Sequence, residues 1–448
     1  EILRGPASSL YGADAVGGVV QIFTRRGDGP ARVSAEAGFG NRGTARLGAG
    51  VSGSQGQLRY SLAASEFRTD GFSNLRPSAG GFNPDADGFD SDNLSASLAY
   101  GLAEGHEIGL QVFRSNGTND YDSGYSPASA ASDYEDETRV QSQAVYLKNR
   151  LAAGWTSTLR VGRSTDDSTN TADGTLVSKF RTDQDQYSWQ HDLRLPVGSL
   201  LLGWERLEQK VGGTSDFSVT ERRIDSWLAG WTGRFGGHRL QANLRQDDNS
   251  QFGDKTTGAL AWGYQLDDAW RLQTAYGTAF KAPSFNDLYY PRFYDYVGNP
   301  DLKPEFARNR EAAVHYEHGS HHASATWYLN KVEDLISWSG VTSPVNVGKA
   351  RLEGLTLAYQ GRLWGYDVDG SLDYLDAEDS ATGRRLARRA REEAKAGLGR
   401  SLGPWAWRVE WRAAGYRYDD DANSRRLGGY GLVNLQASYA IDRDWSLF

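Results

Sequence analysis

The segment WAWRVEWRA (residues 405–413) has the pattern of a β-strand with two unlike faces. Its odd-numbered positions carry tryptophan, valine and alanine, while the even-numbered positions from Arg408 to Arg412 are all charged. Successive side chains of a strand point to opposite faces, so one face is apolar and the other is charged. LVNLQASYA (residues 432–440) alternates in the same way with uncharged polar residues. Both segments predict strands that separate an apolar environment from a polar one.

The connections between such strands alternate between two lengths. Short turns such as LAAGW, LPVGSL, FGGHR and LDDAW alternate with long acidic loops, of which DGFSNLRPSAGGFNPDADGFDSD (residues 70–92) and NGTNDYDSGYSPASAASDYEDE (residues 116–137) are two. A soluble β-sandwich would also alternate within each strand. Strict alternation of short and long connections, however, puts every long loop at one end, as in outer-membrane barrels. Aromatic residues near the strand ends fit the interfacial girdles of such barrels.

Composition narrows the possible classes. The chain of 448 residues contains 53 glycines and 12% aromatic residues, which favours strands and turns. It contains no run near the roughly 18 apolar residues of a membrane-spanning helix. The absence of cysteine excludes disulfides and thiolate sites, and the net charge of −8 disfavours a nucleic-acid partner. No nucleophile elbow, phosphate-binding loop or metalloprotease helix motif suggests an enzyme.

The strand count predicts the size of the barrel. About twenty complete strands fit between Arg32 and Ile441, and DRDWSLF resembles a turn and the opening of one more. Because bacterial single-chain barrels have an even number of strands, we expect an all-β, transmembrane antiparallel barrel of 22 strands in the parent protein, with about 20–21 present here. A lumen of that width needs a plug. We therefore expect residues 1–26 to be the C-terminal end of a plug domain and residues 27–448 to be a barrel that is incomplete at its C-terminus.

The N-terminal segment carries a family resemblance. ILRGPASSLYGADAVGGVVQIFTRR (residues 2–26) resembles the end of the plug domain of TonB-dependent outer-membrane transporters. YGTAFKAPSFNDLY, GNPDLKPE and NVGKARLEGLTLAY resemble barrel motifs of the same family, so the resemblance covers essentially the whole chain. Within the family, RQDDNSQFGDKTT, LARRAREEAKAGL and GYRYDDD are most similar to the branch that transports cobalamin.

The resemblance implies a location and a function. It implies a monomeric receptor in the outer-membrane lipid of a Gram-negative bacterium, which binds cobalamin (vitamin B12) or a related corrinoid outside the cell and imports it. The energy would come from the TonB-ExbB-ExbD complex, reached through a TonB box upstream of Glu1. A siderophore or haem receptor is the alternative within the family. A passive porin is a further alternative, against which the plug signature argues.

The two long acidic loops are candidate calcium ligands. Calcium favours six to eight oxygen ligands from flexible, carboxylate-rich segments, although such loops can equally be solvated acidic surface. The resemblance implies calcium ligands at Asp85, Asp87, Tyr121, Asp122 and Asp133. Asn83 stands where the family has glutamine, and Ser73 stands where it has aspartate, with Asp70 as a nearby substitute. Asp136 competes with Asp133 because this loop is longer than in the family.

Two residues are candidate cobalamin contacts by the same resemblance, Arg388 and Thr182. Alternatively, Arg388 belongs with Arg384, Arg385 and Arg389 to a group of charges that holds the plug. Ala422 stands where the family has a contacting tyrosine, which leaves Tyr416 or Tyr418 to replace it. The histidines of YEHGSHHASATWY suggest either a transition-metal site or a solvated short turn, and we favour the turn.

Overall fold

The computed structural model describes residues 1–5, 7–123, 132–292, 296–338 and 342–448. The described chain is almost entirely β-structure, as predicted, and it begins with a short separate piece that contains β1 (Ile2–Arg4), helix α1 (Ser8–Tyr11) and β2 (Gly18–Val20). A second short helix, α2 (Phe285–Tyr289), lies between two strands. Neither helix among these residues is long or apolar enough to cross a membrane.

The remaining strands are β3 (Arg32–Phe39), β4 (Ala45–Gln55), β5 (Leu58–Thr69), β6 (Phe89–Ala103), β7 (His106–Tyr121), β8 (Tyr134–Ala152), β9 (Trp155–Ala172), β10 (Thr175–Arg194), β11 (Ser199–Gly213), β12 (Glu221–Phe235), β13 (His238–Asn249), β14 (Gly253–Gln265), β15 (Trp270–Lys281), β16 (Glu305–His318), β17 (His321–Ser337), β18 (Val345–Leu363), β19 (Tyr366–Asp379), β20 (Glu392–Leu402), β21 (Trp405–Ala414), β22 (Arg417–Tyr418), β23 (Arg426–Leu427), β24 (Tyr430–Ala440) and β25 (Ser446–Leu447).

These strands form one closed antiparallel barrel. Strands β3 to β21 pair in sequence order, β24 follows β21, and the two-residue β25 closes the ring between β24 and β3. In the described part of the chain, the barrel thus has twenty longer strands and the opening of another, which confirms the predicted count. Strands β22 and β23 form a small hairpin in the loop between β21 and β24.

The alternation predicted from the sequence separates the two faces of the wall. On β6, Ser97 points inward and its hydroxyl donates a hydrogen bond to the Arg25 carbonyl, while the neighbouring Leu98 is 45% exposed on the outer face. On β21, Trp405 and Trp411 lie on the exposed outer face. On these two strands the apolar face therefore faces lipid, and the polar face lines the lumen.

The connections at the end of the barrel opposite the long loops are short, and some of them require glycine; at the other end, β9 and β10 are also joined by a turn of only two residues. Gly198, between β10 and β11, has φ +87°, and a Cβ there would lie 2.0 Å from the carbonyl oxygen of Thr232 on the next strand. No side chain fits this approach, and an L-residue is also strained at this φ. The turn residues thus hold neighbouring strands in register.

Residues 1–26 lie inside the ring. Helix α1 contacts four consecutive strands, β12 to β15, while the Arg25 carbonyl reaches Ser97 on β6. The amide of Asp14 donates to the carbonyl of Phe280 at the outer end of β15 across 3.1 Å. Val16 packs against a group of inward side chains that includes Val332 and Ala350. The segment therefore touches the lumen wall on several sides.

Long strands raise part of the rim. Strands β8, β9 and β10 contain 19, 18 and 20 residues, whereas a membrane-spanning strand needs about 9–11. The outer end of β8 and the turn that joins β9 to β10 therefore lie well outside the apolar band, whereas β8 and β9 are joined by a short turn at the opposite end.

Candidate functional site

Two acidic loops meet at the end of the barrel that carries the long loops. We call residues 70–88, between β5 and β6, loop A, and residues 122–133, between β7 and β8, loop B; residues 124–131 of loop B lie outside the described part. Since β6 and β7 are neighbours in the sheet, the two loops start side by side. The amide of Asp120 donates to the carbonyl of Gly88 across 3.0 Å at that point.

Three of the predicted ligands form a tight carboxylate triad. Oxygen atoms of Asp85, Asp87 and Asp122 lie within 4.8 Å of one another. Among the described residues, this is the only group of three acidic or histidine side chains that is close enough to share a metal ion. The structure thus brings Asp122 of loop B to Asp85 and Asp87 of loop A, which precede it by 35 or more positions in the sequence.

Hydrogen bonds orient the triad from loop A. The Ser73 hydroxyl donates to one oxygen of Asp122 across 2.9 Å, and the Asn83 amide donates to the other across 3.2 Å. The Asn74 amide donates to Asp87 across 2.6 Å. Asp122 is only 9% exposed, so these donors offset part of the cost of burying its carboxylate.

Asn83 links the triad to the fourth predicted carboxylate. Its side-chain amide donates to Asp85 across 2.9 Å and lies 3.4 Å from an oxygen of Asp133. Asp133 is further held because its backbone amide donates to Asp173 across 3.0 Å. Six of the seven predicted calcium residues therefore lie in one connected group.

The other candidates near the triad face elsewhere. The Tyr121 hydroxyl donates to Asn170 on β9 across 3.1 Å. Asp136 accepts a 2.8 Å hydrogen bond from Ser168 on the same strand. The carboxylate of Asp70 lies against Gly43, between β3 and β4. The contacts thus favour Asp133 over Asp136 and do not bring Asp70 into the triad.

The electrostatics of the triad favour a bound cation. Burial raises the pKa of Asp85 above its usual range, and the negative charges of Asp122 and Asp133 raise it further. Burial also raises the pKa of Asp87, against a lowering by the Asn74 hydrogen bond. Asp120, which the sequence analysis did not single out, adds negative charge to both. A hard cation such as calcium, which prefers carboxylate oxygens, fits this donor set.

Gly71 holds the two ends of loop A together. It has φ +66°, and a Cβ there would lie 1.8 Å from the carbonyl oxygen of Asp87. Only glycine allows this approach of one end of the loop to the other. The position of Asp87 in the triad therefore depends on the backbone of Gly71.

Arg388 lies in the loop between β19 and β20, exposed at the same end of the barrel. Its guanidinium donates to Asp419 across 3.0 Å, its side chain is 74% exposed, and its backbone has φ +62°. Neighbouring Arg385 stacks over Tyr416, 5.0 Å from the ring centroid. These contacts join the loop to the one that carries β22 and β23, and none of them involves residues 1–26.

Thr182 lies on the inward face of β10, nine to ten strands around the ring from Arg388. Two positions away on the same face, Phe180 contributes to a group of apolar side chains at the mouth of the lumen. This mouth cluster consists of Phe180, Val211, Phe217, Phe285, Tyr289 and Tyr290. A large ligand between Thr182 and Arg388 would meet an aromatic wall on one side and an exposed guanidinium on the other.

The mouth cluster is fixed by α2, which the sequence analysis did not predict. The Ser284 hydroxyl accepts from the amide of Asp287, whose carboxylate accepts from the amide of Ser284. This capping box starts the helix and buries Phe285. Arg222 donates to the carbonyl of Pro283 across 2.7 Å and lies over the Phe285 ring. The spacing Ser-x-x-Asp was the signal that could have identified it.

The three clustered histidines lie at the opposite end of the barrel. His318 and His321 are register partners beside the turn between β16 and β17. A ring nitrogen of His321 lies 2.8 Å from the hydroxyl of Tyr359. Their position at a short turn away from the acidic loops agrees with the sequence analysis.

Comparisons of this chain with a family model and with individual proteins agree on one family. The family model described as TonB dependent receptor-like, beta-barrel matches residues 31–448. The vitamin B12 transporter BtuB of Photobacterium profundum is 31% identical over 460 aligned residues, which cover 100% of this chain and 74% of that protein. Among solved structures, the siderophore receptor PirA of Acinetobacter baumannii has a TM-score of 0.83 at 18% identity. The superposition covers 99% of this chain and 78% of PirA.

Two further structures have the same fold. The ferric yersiniabactin uptake receptor FyuA of Yersinia pestis has a TM-score of 0.79 at 18% identity, over 98% of this chain and 77% of its own. The copper transporter OprC has a TM-score of 0.81 at 17% identity, over 99% of this chain and 77% of its own. At these identities the likeness concerns the fold alone.

Proposed function

Since this chain belongs to the TonB-dependent receptor family of outer-membrane transporters, we propose that the solute it carries is cobalamin or a related corrinoid, bound with calcium-ordered external loops. Membership of the family makes the chain a transporter rather than an enzyme and places its barrel in the outer membrane. It also implies a transported ligand and an interaction with the TonB complex. The identity of the solute and the role of calcium are the proposed parts.

The observation that carries the proposal is the carboxylate triad. Asp85 and Asp87 come from loop A and Asp122 comes from loop B, so a cation bound by all three would tie the two loops together. Asn83 and Ser73 already orient the carboxylates. The similarity to a vitamin B12 transporter at 31% identity supports a corrinoid as the solute.

The wide mouth supports a large solute. Thr182 and the mouth cluster line one side of the lumen, while Arg388 stands across from them. An aromatic wall can bury apolar surface of a macrocycle, and the guanidinium can donate to its polar edge or to a phosphate. Calcium, when bound, would supply a positive charge that holds the two acidic loops in one arrangement.

A siderophore receptor is the second candidate, because PirA, a siderophore receptor, and FyuA, a ferric yersiniabactin uptake receptor, share this barrel fold. Siderophore complexes are also large and would fit the same mouth. Ferric siderophore binding is therefore a direct competitor in any test.

Calorimetric titration of the full chain with cyanocobalamin, in calcium and in a chelator, tests the proposal. We expect binding that weakens at least tenfold in chelator or in Asp87→Asn, but not in the exposed control Asp254→Asn. If cyanocobalamin binds in neither condition and a ferric siderophore does bind, the solute is a siderophore and the proposal is wrong. If cyanocobalamin binds equally well with and without calcium, the solute is correct and only the proposed role of the triad is wrong.

A further inference from the structure

Three arginines lie beside short turns at the end of the barrel opposite the acidic loops. Arg234 on β12 and Arg239 on β13 are register partners next to the turn that joins these strands. Arg271 is the second residue of β15. Register partners share a face, and like charges directly opposite each other are destabilising. The three residues, which we call the inner arginines, therefore need negative charge from elsewhere.

The inner arginines face the lumen. On β13, Arg245 is 4% exposed and its guanidinium adjoins Gly12 of the N-terminal segment, so it points inward. Arg239 lies six positions before it in an unbroken register and shares its face, as does the register partner of Arg239 on β12. On β15, Ala279 is fully buried in the lumen, and Arg271 lies eight positions before it on the same face. A ligand can therefore reach all three guanidinium groups from the lumen.

The inner arginines are not neutralised within the part of the chain that the structure describes. In that part, no carboxylate lies within ion-pair distance of any of the three guanidinium groups, and Glu317, which faces inward on β16, is no exception. Their charge is thus available to a ligand. Three other inward arginines at the same end do have such partners: Arg59 with Glu107, Arg362 with Asp367, and Arg408 with Asp369.

The wall between the inner arginines forms an open cleft. Gly263 on β14 is the register partner of Arg239 and of Gln273. Because glycine has no side chain, nothing from this position fills the space between Arg239 and Arg271. The cleft has a volume of about 430 Å³, many times what one water molecule needs, and its lining includes the inner arginines, Gln241 and Gln273. Three guanidinium groups and two amides can thus surround one ligand with hydrogen-bond donors.

This donor set suits a phosphate group. A guanidinium donates two parallel hydrogen bonds to phosphate oxygens, and its charge strengthens them. The proposed solute carries one such anion, the phosphodiester that links the corrin ring to its nucleotide. Gln241 and Gln273 add neutral donors that can reach the same oxygens or the neighbouring sugar. A corrin ring without the nucleotide has no phosphate to match the cleft.

The position of the cleft places it late on the path of a solute. Helix α1 contacts β12 to β15, the strands that also form the cleft. Phe217 and Phe285 of the mouth cluster lie at the outer ends of the same strands. From Arg239 to Arg245, which lies next to α1, the strand extends about 20 Å. A solute that follows this side of the wall therefore meets the mouth cluster first, α1 next and the inner arginines last.

We propose that the inner arginines bind the phosphodiester of the transported corrinoid at the inner end of the lumen, as a second site that the solute reaches after α1. The inference rests on the proposed function, because it names the part of the corrinoid that is recognised. It distinguishes cobalamin from corrinoids that lack the nucleotide. The second site is independent of the calcium triad, which lies at the opposite end of the barrel.

A titration followed by phosphorus NMR tests the site without the solute. The probe is dimethyl phosphate, added at low salt to the detergent-solubilised chain in a buffer and a detergent that contain no phosphate. We expect saturable broadening of the probe signal and about tenfold weaker binding to Arg239→Gln. The matched control is Arg408→Gln, which changes an inward arginine that already has carboxylate partners at the same end, and it should bind the probe as wild type does.

A charge reversal separates lost binding from lost folding. Arg239→Glu places a carboxylate opposite Arg234 and removes the repulsion between the two positions. We expect this variant to bind no dimethyl phosphate and to melt at or above the wild-type temperature. Arg239→Lys should retain part of the binding, because the charge remains while the planar donor fork is lost.

Competition for the probe identifies the solute. With chelator present, cyanocobalamin should displace dimethyl phosphate, whereas acetate and dicyanocobinamide, which lacks the phosphodiester, should not. Wild-type binding by Arg239→Gln, or equal displacement by acetate or dicyanocobinamide, would overturn the inference. Failure of cyanocobalamin to displace the probe would also overturn it, and calcium-dependent binding of cyanocobalamin would then leave the proposed function intact. Displacement by cyanocobalamin in a chain that shows no calcium-dependent binding would support the second site and count against the calcium triad alone.

Discussion

The hydroxyl of Ser73 donates a 2.9 Å hydrogen bond to the carboxylate of Asp122, so one hydroxyl joins two external loops that are 49 positions apart in the chain. Ser73→Ala leaves an oxygen of a largely buried carboxylate without its donor. A lost hydrogen bond to a charged group costs about 1.5–3 kcal/mol. We therefore expect calcium to bind roughly tenfold to a hundredfold more weakly, as measured by calcium titration in a chelator-buffered series.

The reverse change should act in the opposite direction. Ser73→Asp adds a fourth carboxylate beside the triad, which attracts a cation but repels Asp122 when no cation is present. We expect tighter calcium binding than in wild type and, in chelator, faster proteolysis of loops A and B. Equal calcium affinity in Ser73→Ala, Ser73→Asp and wild type would show that Ser73 does not adjoin the ion.

Gly71→Ala should disrupt loop A without affecting the barrel. The added Cβ has no space beside the carbonyl of Asp87, so Asp87 must leave the triad. We expect calcium affinity to fall by at least about tenfold, while the thermal melting of the barrel in chelator stays unchanged. Gly174→Ala is the matched control, since that glycine also has positive φ in an external turn but has open space around its Cβ position.

The contact between residues 1–26 and the wall should depend on pH through Asp14. Burial raises the pKa of Asp14, against lowering by the charges of Lys281 and Arg222. A raised carboxyl pKa in the folded state means that the protonated form is favoured there. The stabilising contribution is therefore present at low pH and is lost as the pH rises through the raised pKa.

Asp14→Asn should remove that dependence. Asparagine tolerates the positive φ of 77° found at this position, so the backbone need not change. We expect the variant to melt at a higher temperature than wild type at neutral pH and to show a flatter pH profile by calorimetry. The exposed control Asp216→Asn should follow the wild-type profile, and a lower melting temperature for Asp14→Asn would contradict the dominance of burial.

Arg245 forms a buried charge network next to α1. It is 4% exposed, donates to Asp247 across 2.8 Å and lies 2.7 Å from Glu205, while Gly12 of the N-terminal segment adjoins its guanidinium. Removing one partner of a buried pair costs about 3–5 kcal/mol because the remaining charge is uncompensated. We expect Arg245→Leu to lose this amount in unfolding free energy and Arg245→Leu with Asp247→Leu to recover much of it. Additive losses in the double variant would show that the two side chains do not interact.

The strands could be predicted from the sequence because a barrel wall between lipid and lumen requires apolar and polar residues to alternate along each strand. Ser97 and Leu98 differ in polarity since one faces the lumen and the other faces lipid, and this difference is local. The short and long connections were equally visible, so the barrel and the position of its long loops followed.

The residues of the calcium site could be identified from the sequence, but the hydrogen bonds between them could not. The acidic residues of loops A and B stand out in the sequence, and a family resemblance assigned them to calcium. That Asn83 would bridge Asp85 and Asp133, or that Asp120 would add charge, depends on how β6 and β7 align.

The tall strands β8, β9 and β10 have a consequence for how a scarce solute is captured. A 20-residue strand at a 40° tilt rises about 50 Å, roughly twice the height of the apolar band. The turn that joins β9 to β10 therefore lies about 25 Å beyond the lipid. A solute molecule arriving by diffusion can therefore meet the rim of this barrel well before it reaches the lipid surface, which enlarges the target that the receptor offers.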